Sequence, residues 1–263
     1  MKDKGISQTP FGVRARAIPL TLVLSGLVII LTSVNLTCGS EERTFVGFRQ
    51  GEDSESIPEG WEHVTYPGRA KNEVSLLKEG ERTVLHVQSM GSASALVNRL
   101  DADIREFPIL VWCWKINRVV GMAIENQKDR NDSAARIRVI FGAGAEKARP
   151  VPPQVEELLK SLGYKKSPTE PWGNKIDYIW GNRLSPGTSL DYPGSRNHKV
   201  IVIESGEEKA NQWIWEKRNL IEDYELLFGA APPGLAGIAV LTDTDNTNEG
   251  IEAWYSSIVL MAP

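Results

Sequence analysis

The chain has 263 residues, 41% of them hydrophobic and 24% charged, and a net charge of −4. That composition suits a folded globular protein and excludes a largely disordered chain. The only notable basic cluster is at the very start, and an acidic remainder is a poor nucleic-acid binder, because phosphate contacts need a positive surface.

The N-terminus reads as an export segment. Lys2, Lys4, Arg14 and Arg16 form a basic flank, and an uncharged run follows from Ala17 to Thr37, densest between Leu20 and Leu31. A basic flank before an apolar stretch is the pattern of a secretory signal. The run is also long enough for a retained membrane anchor. Cys38 follows it directly, so lipidation of that thiol is a third reading, although Asn35 and Thr37 fit a lipobox poorly. Residues 1–38 are therefore read as a signal peptide or a membrane or lipid anchor, 39–44 as a tether, and 45–263 as the folded domain. Loss of residues 1–37, with four basic residues and one acid, would take the net charge from −4 to −7. Such a protein is expected to be exported, either periplasmic or membrane-anchored, with its membrane contact through the N-terminal segment.

Beyond the tether, short β-type runs alternate with turn residues. The predicted strands are Thr44–Arg49, Glu62–Tyr66, Glu73–Leu77, Thr83–Gln88, Ser94–Leu100, Ile109–Ile116, Ala134–Phe141, Ile176–Trp180, Lys199–Glu204, Gln212–Trp215, Leu235–Leu241 and Ala253–Met261. Many short strands punctuated by Gly, Pro, Asn and Asp predict a sandwich or barrel. Ile109–Trp114 and Gly237–Leu241 are apolar on both faces and read as central strands. Two helices are expected. Val155, Leu158, Leu159 and Leu162 have helical spacing, with Gly163 as C-cap. Leu220, Ile221, Tyr224, Leu227 and Phe228 repeat it, with Asn219 as N-cap and Gly229 as C-cap. The fold class is all-β: a jelly-roll-like antiparallel sandwich with two short helices.

Several groups of residues carry chemistry. Asp243, Asp245, Asn246 and Asn248 follow a buried strand, and their oxygens suit a hard cation such as Ca²⁺, with Asp243 and Asp245 as first ligands. The plainer reading is an Asx-rich turn. Arg136 and Arg138 share one face of a strand whose other face carries Ile137, Val139 and Phe141. They could clamp a ligand carboxylate, or pair across strands with an acid, Asp132 being the nearest in sequence. Eight tryptophans include the pairs Trp112/Trp114 and Trp213/Trp215, two apart on their strands. Indoles can stack sugar rings or fill a core. Trp180 stands at a strand end, with Asn182 and Arg183 just beyond. His63, His86 and His198 lack zinc-ligand spacing. No GxSxG, Walker or dinucleotide-binding glycine pattern appears. Cys113 sits among Leu110, Val111, Trp112 and Trp114 and reads as a buried thiol.

The run Asp132-Ser133-Ala134-Ala135-Arg136-Ile137-Arg138-Val139-Ile140-Phe141-Gly142 resembles a motif of the DUF3047 family. So do Ile176–Asn182, Arg218-Asn219-Leu220 with Asp223-Tyr224 and Phe228-Gly229, and Gly237–Thr247. Trp112-Cys113-Trp114 is similar to that family's WxW strand. These motifs span residues 45–260 in order. The resemblance implies an exported bacterial protein with motif residues Asp132, Arg136, Tyr178, Trp180, Arg218, Asp223, Asp243, Asp245 and Asn246. Asn131 stands where the family usually has a second acid.

The leading expectation is a non-catalytic ligand-binding domain of the cell envelope that requires no cofactor. Its favoured ligand is a saccharide, or another envelope component, held by Arg136, Trp180, Asn182, Asp243, Asp245 and Asn246. One alternative is a polysaccharide-acting enzyme using Asp132, Asp223 and Tyr178. The other is a structural protein docking through an apolar patch.

Overall fold

Period-two alternation of apolar and polar residues places thirteen strands and one helix in the described part of the chain: β1 (Arg43–Val46), β2 (Trp61–Thr65), β3 (Glu73–Glu79), β4 (Arg82–Met90), β5 (Ala93–Ala102), β6 (Ile109–Ile116), β7 (Ser133–Phe141), β8 (Lys175–Gly181), β9 (Ser189–Asp191), β10 (His198–Ser205), β11 (Ile214–Asn219), α1 (Leu220–Phe228), β12 (Leu235–Asp243) and β13 (Gly250–Met261). These come from a computed structural model, which describes residues 43–46, 48, 57–80, 82–142 and 173–263. The expected helix around Val155–Leu162 and the N-terminal segment with Cys38 lie outside the described residues.

The strands form two sheets. One has the order β11-β6-β13-β4-β3, with β1 paired to β13; the other runs β2-β5-β12-β7-β8-β10-β9. Pairings are antiparallel except β8 with β10, which run parallel. The short strand β9 was not expected from sequence; it pairs antiparallel to β10 across a turn containing Pro193 and Gly194. The strand expected at Gln212–Trp215 begins instead at Ile214, because Asn211, with φ of 63°, turns the chain just before it.

The sheets pack face to face over one core. Trp112 and Trp114 of β6 meet edge to face at 5.4 Å between centroids. Tyr178 of β8 lies 5.4 Å from Trp112, and Trp180 lies 5.8 Å from Trp114. Such contacts add about 0.5–1.5 kcal/mol each to the burial of the rings. The Trp114 and Trp180 indole N–H groups donate to Glu216 Oε1 and Gly206 O. The Trp112 N–H meets no acceptor among the described residues, which costs the desolvation of that donor.

Helix α1 closes part of the core with Leu220 and Tyr224. As its pattern predicts, the Asn219 side chain accepts from the N–H groups of Ile221 and Glu222, and Gly229 ends the helix in the left-handed conformation at φ 67°. Glu222 and Asp223 lie in the first turn, where the helix dipole favours acids.

Candidate functional site

The seven-stranded sheet has a second, outward face. Alternation along β7 sends Ile137, Val139 and Phe141 into the core and turns Arg136, Arg138 and Ile140 away from it. Apolar patches lie on either side of the two arginines. Ala95, Val97, Ile140, Ala239 and Leu241 cover β5, β7 and β12, with Tyr66 against them. Ile179, Val200 and Val202 cover β8 and β10, with Leu190 and Tyr192 against them. A charged seam therefore runs between two greasy patches, and β7 is buried along its whole length.

The acid that serves the arginines is Asp177 on β8, not Asp132. Arg138 and Asp177 are register partners across β7 and β8. Arg138 donates from Nε to Asp177 Oδ1 at 2.7 Å and from Nη2 to Oδ2 at 3.0 Å. Arg136 donates from Nη1 to Asp177 Oδ2 at 3.2 Å, from Nε to Ser133 Oγ at 3.1 Å and from Nη2 to the Asn131 carbonyl at 3.1 Å. The face is not solvated, as the plainer sequence reading supposed: Asp177 is 0% exposed and Arg136 3%. Burial alone would raise the Asp177 pKa, but Arg138, His198 and Arg136 hold it well below the usual carboxylate range. His198 Nε2 lies 2.9 Å from Asp177 Oδ1 but is too poorly aligned for a hydrogen bond. Burial lowers the His198 pKa, against the pull of Asp177, so the ring is neutral at neutral pH. Tyr192 stacks flat on it at 4.1 Å.

The acids after β12 form the neighbouring wall. Thr242 and Thr244 point inward and are buried, whereas Asp243 and Asp245 turn toward the arginines. Asp132 stitches this turn to β7, accepting from the Thr247 N–H at 2.8 Å and its hydroxyl at 2.7 Å. Asn246, with its amide nitrogen toward the acids as the hydrogen-bond network requires, donates to Asp132 Oδ1 at 2.9 Å and Asp245 Oδ1 at 3.2 Å. Arg69 pairs with Asp245. Burial, with Asp245 and Asp132 nearby, pushes the Asp243 pKa well up despite Arg136 at 3.9 Å. Asp243 therefore holds its proton more tightly than an ordinary carboxyl.

Oxygens of Asp132, Asp243 and Asp245 lie within 4.8 Å of one another, the number and kind that could begin a Ca²⁺ site. The surroundings fit a cation poorly. Arg69 and Arg136 approach two of the acids, and Asp132 is committed to Thr247. Above these groups opens a cavity of about 310 Å³, at the small end of the ligand-pocket range of roughly 300–1,000 Å³. Arg136, Arg138, His198, Asp243, Asp245 and Asn246 line it, with Tyr66, Tyr192 and Leu241 as apolar wall and Lys128 at the rim.

A family model described as "Protein of unknown function (DUF3047)" matches residues 59–259, most of the chain. The chain belongs to the DUF3047 family. No curated protein matches it. Among solved structures it is similar to the family 11 carbohydrate-binding module of the Clostridium thermocellum cellulase Lic26A-Cel5E, at 10% identity and a TM-score of 0.37, covering 83% of this chain and 96% of that one. The xyloglucanase domain of NopAA from Sinorhizobium fredii, in complex with cellobiose, gives 10% identity and a TM-score of 0.41, covering 79% and 96%. The family 30 carbohydrate-binding module of the C. thermocellum cellulase Cel9D-Cel44B gives 9% identity and a TM-score of 0.38, covering 76% and 91%. Likenesses this distant say nothing about ligands.

Within this DUF3047 domain, Arg136, Asp243, Asp245 and Asn246 meet at one cavity, but Trp180 and Asn182 do not. Trp180 is 1% exposed, because the alternation that turns Asp177 and Ile179 outward drives Tyr178 and Trp180 into the core. Asn182 staples the loop after β6 instead, donating to the Gly121 and Ala123 carbonyls at 3.0 and 3.2 Å. The acids expected for catalysis are also occupied elsewhere. Asp223 is paired with Arg218 and accepts from the Tyr178 hydroxyl at 2.7 Å. Burial first, then Asp223, raises the Tyr178 pKa well above its ordinary value. Asp177, His198, Tyr192, Lys128 and Arg69 were missed. Asp177 was legible, since it alternates with Ile176 and Tyr178; the loop residues carry no periodic signal.

On the outward face of the other sheet, Trp254 stacks on His86 at 4.9 Å with Lys115 over its ring at 4.5 Å. Lys115 and Arg82 also approach Trp213. These ring faces are already in use, while Trp215 is 57% exposed. Cys113 lies buried in β6, and burial pushes its thiol up to about 11, which leaves it inert.

Proposed function

We propose that this DUF3047 protein is a non-catalytic binding domain of the cell envelope whose sheet-face cavity holds a saccharide. The observation that carries the reading is convergence. Strands β7 and β12 and four loops bring a guanidinium, a buried carboxyl, an amide and an aromatic ring to one cavity. Sugar hydroxyls need donors and acceptors fixed in place, and sugar C–H faces need an apolar wall. The arginines supply fixed donors because Asp177 pins them.

Catalysis by a carboxylate pair is less well supported. Glycoside hydrolysis needs carboxyls about 5–10 Å apart with sugar between them. The acids at this cavity are clustered, with oxygens of Asp132, Asp243 and Asp245 within 4.8 Å of one another and guanidiniums against two of them, rather than set across an open cleft. The reading takes the cluster as held by protons and guanidiniums, not by a metal ion. Export rests on the basic flank and apolar run of residues 1–38, and intact mass of membrane-extracted protein would distinguish cleavage, lipidation at Cys38 and a retained anchor.

Titration calorimetry of the full-length protein against peptidoglycan fragments and envelope oligosaccharides tests the proposal. Saturable binding to at least one, weakened by Asp243→Asn, is the expected result. Absence of binding across the panel would remove it.

A further inference from the structure

Accepting that saccharide reading, we infer that the sugar is acidic, with a ring carboxylate received by Arg136 and Lys128. A guanidinium has five N–H donors. Three of those on Arg136 are used, by Ser133, Asp177 and Asn131. The remaining two have no hydrogen-bond acceptor among the described residues, with Asp243 Oδ2 at 3.9 Å from Nη2, and the side chain, 3% exposed, lines the cavity. Unmet charged donors at a buried position are what a carboxylate ligand satisfies, in short charge-assisted bonds.

The pairing of the cavity's charges points the same way. Asp177 is one carboxylate shared by two guanidiniums. Arg69 is matched by Asp245. Lys128 sits at the rim with no acid in ion-pair range among the described residues. Leu241, the register partner of Arg136 on β12, supplies an apolar surface beside the guanidinium for the ring carbons. A cavity of about 310 Å³ suits a short stretch or chain end, not a long polymer groove.

The test is calorimetry of full-length protein in detergent with three probes: an oligogalacturonate, its methyl ester, and glutarate, a carboxylate without a ring. The oligogalacturonate is expected to bind at least about tenfold more tightly than the ester, the factor of one charged hydrogen bond. Glutarate is expected to bind weakly. Arg136→Gln should abolish the preference. Because that variant could misfold, Lys128→Ala at the exposed rim is the second variant, expected to cut the preference several-fold. Equal binding of acid and ester overturns the inference but keeps the saccharide reading. Glutarate binding as tightly as the oligomer overturns both, as does binding of none of the three here together with none of the wider panel.

Discussion

Replacing Asp177 with Asn keeps the shape of the buried cluster and removes the negative charge that its two guanidiniums share. The carboxylate is 0% exposed and accepts three hydrogen bonds from two guanidiniums, at 2.7, 3.0 and 3.2 Å. In the variant an amide N–H₂ faces guanidinium N–H groups, and the next acid, Asp243, is 3.9 Å from Arg136, beyond hydrogen-bond reach. Breaking a buried pair this way costs about 3–5 kcal/mol. For a domain this size, about 2–4 °C per kcal/mol makes that a fall in Tm of roughly 6–20 °C. Urea and thermal unfolding followed by tryptophan fluorescence measure it. About 1 M NaCl should restore little, since burial shields the pair from screening. Lys199→Ala, which breaks the exposed pair with Asp191, should cost less than about 1 kcal/mol. The parent also carries an acid limb. Asp177 has a depressed folded pKa, so its contribution is complete above the ordinary value of 3.8 and is lost as pH falls toward the folded value. A loss in Asp177→Asn below about 1 kcal/mol, or an unchanged acid limb, would refute the claim that this carboxylate is desolvated and charge-paired.

Glu216 has the opposite sign. Burial first, then Glu204, raises its pKa to about 7, so stability is lost as pH climbs from 4.5 toward 7. Glu216→Gln should therefore raise Tm at pH 8 and leave it unchanged at pH 4, by differential scanning calorimetry. Asp243→Asn should likewise flatten the loss of stability as pH rises above 3.8, because burial and its acidic neighbours raise the folded Asp243 pKa well above that value. Trp180→Ala should cost about 3–5 kcal/mol as a core truncation and leave ligand affinity unchanged at a temperature where it is folded; a selective loss of binding would return Trp180 to the site. Millimolar CaCl₂ should not shift Tm, and a dose-dependent rise abolished in Asp243→Asn would restore a metal role to the acids.

The strands were legible because period-two alternation is local, and β7 is the clearest case: Ile137, Val139 and Phe141 face the core just as their spacing predicts. The cap residues of α1 were legible for the same reason, since Asn219 and Gly229 act within one turn. Three things were not. The pairing of strands is non-local, so Asp132, adjacent in sequence, looked like the partner of Arg136, while β8 brings Asp177 there from 41 residues away. Trp180 misled because strand-end position was weighed above parity; Ile176 and Tyr178 on the same face already placed it inside. Tyr192 and Lys128 reach the cavity from loops whose course depends on the sheet beneath.

The buried cluster matters more for geometry than for stability. A buried ion pair is weak support for a fold, because desolvation offsets most of its attraction. Apolar residues at Arg136, Arg138 and Asp177 would join the two patches on this face into one continuous surface without that penalty. What the charged seam provides is orientation. Asp177 fixes the plane of two guanidiniums, Ser133 and the Asn131 carbonyl fix the rotation of one, and the unused edge of Arg136 is left at the cavity. Donors already held in position lose little freedom when a ligand arrives, so the cost of ordering them is met at folding and not at binding. A seam of charge that stability does not require, placed under an open cavity, is better explained by recognition than by architecture.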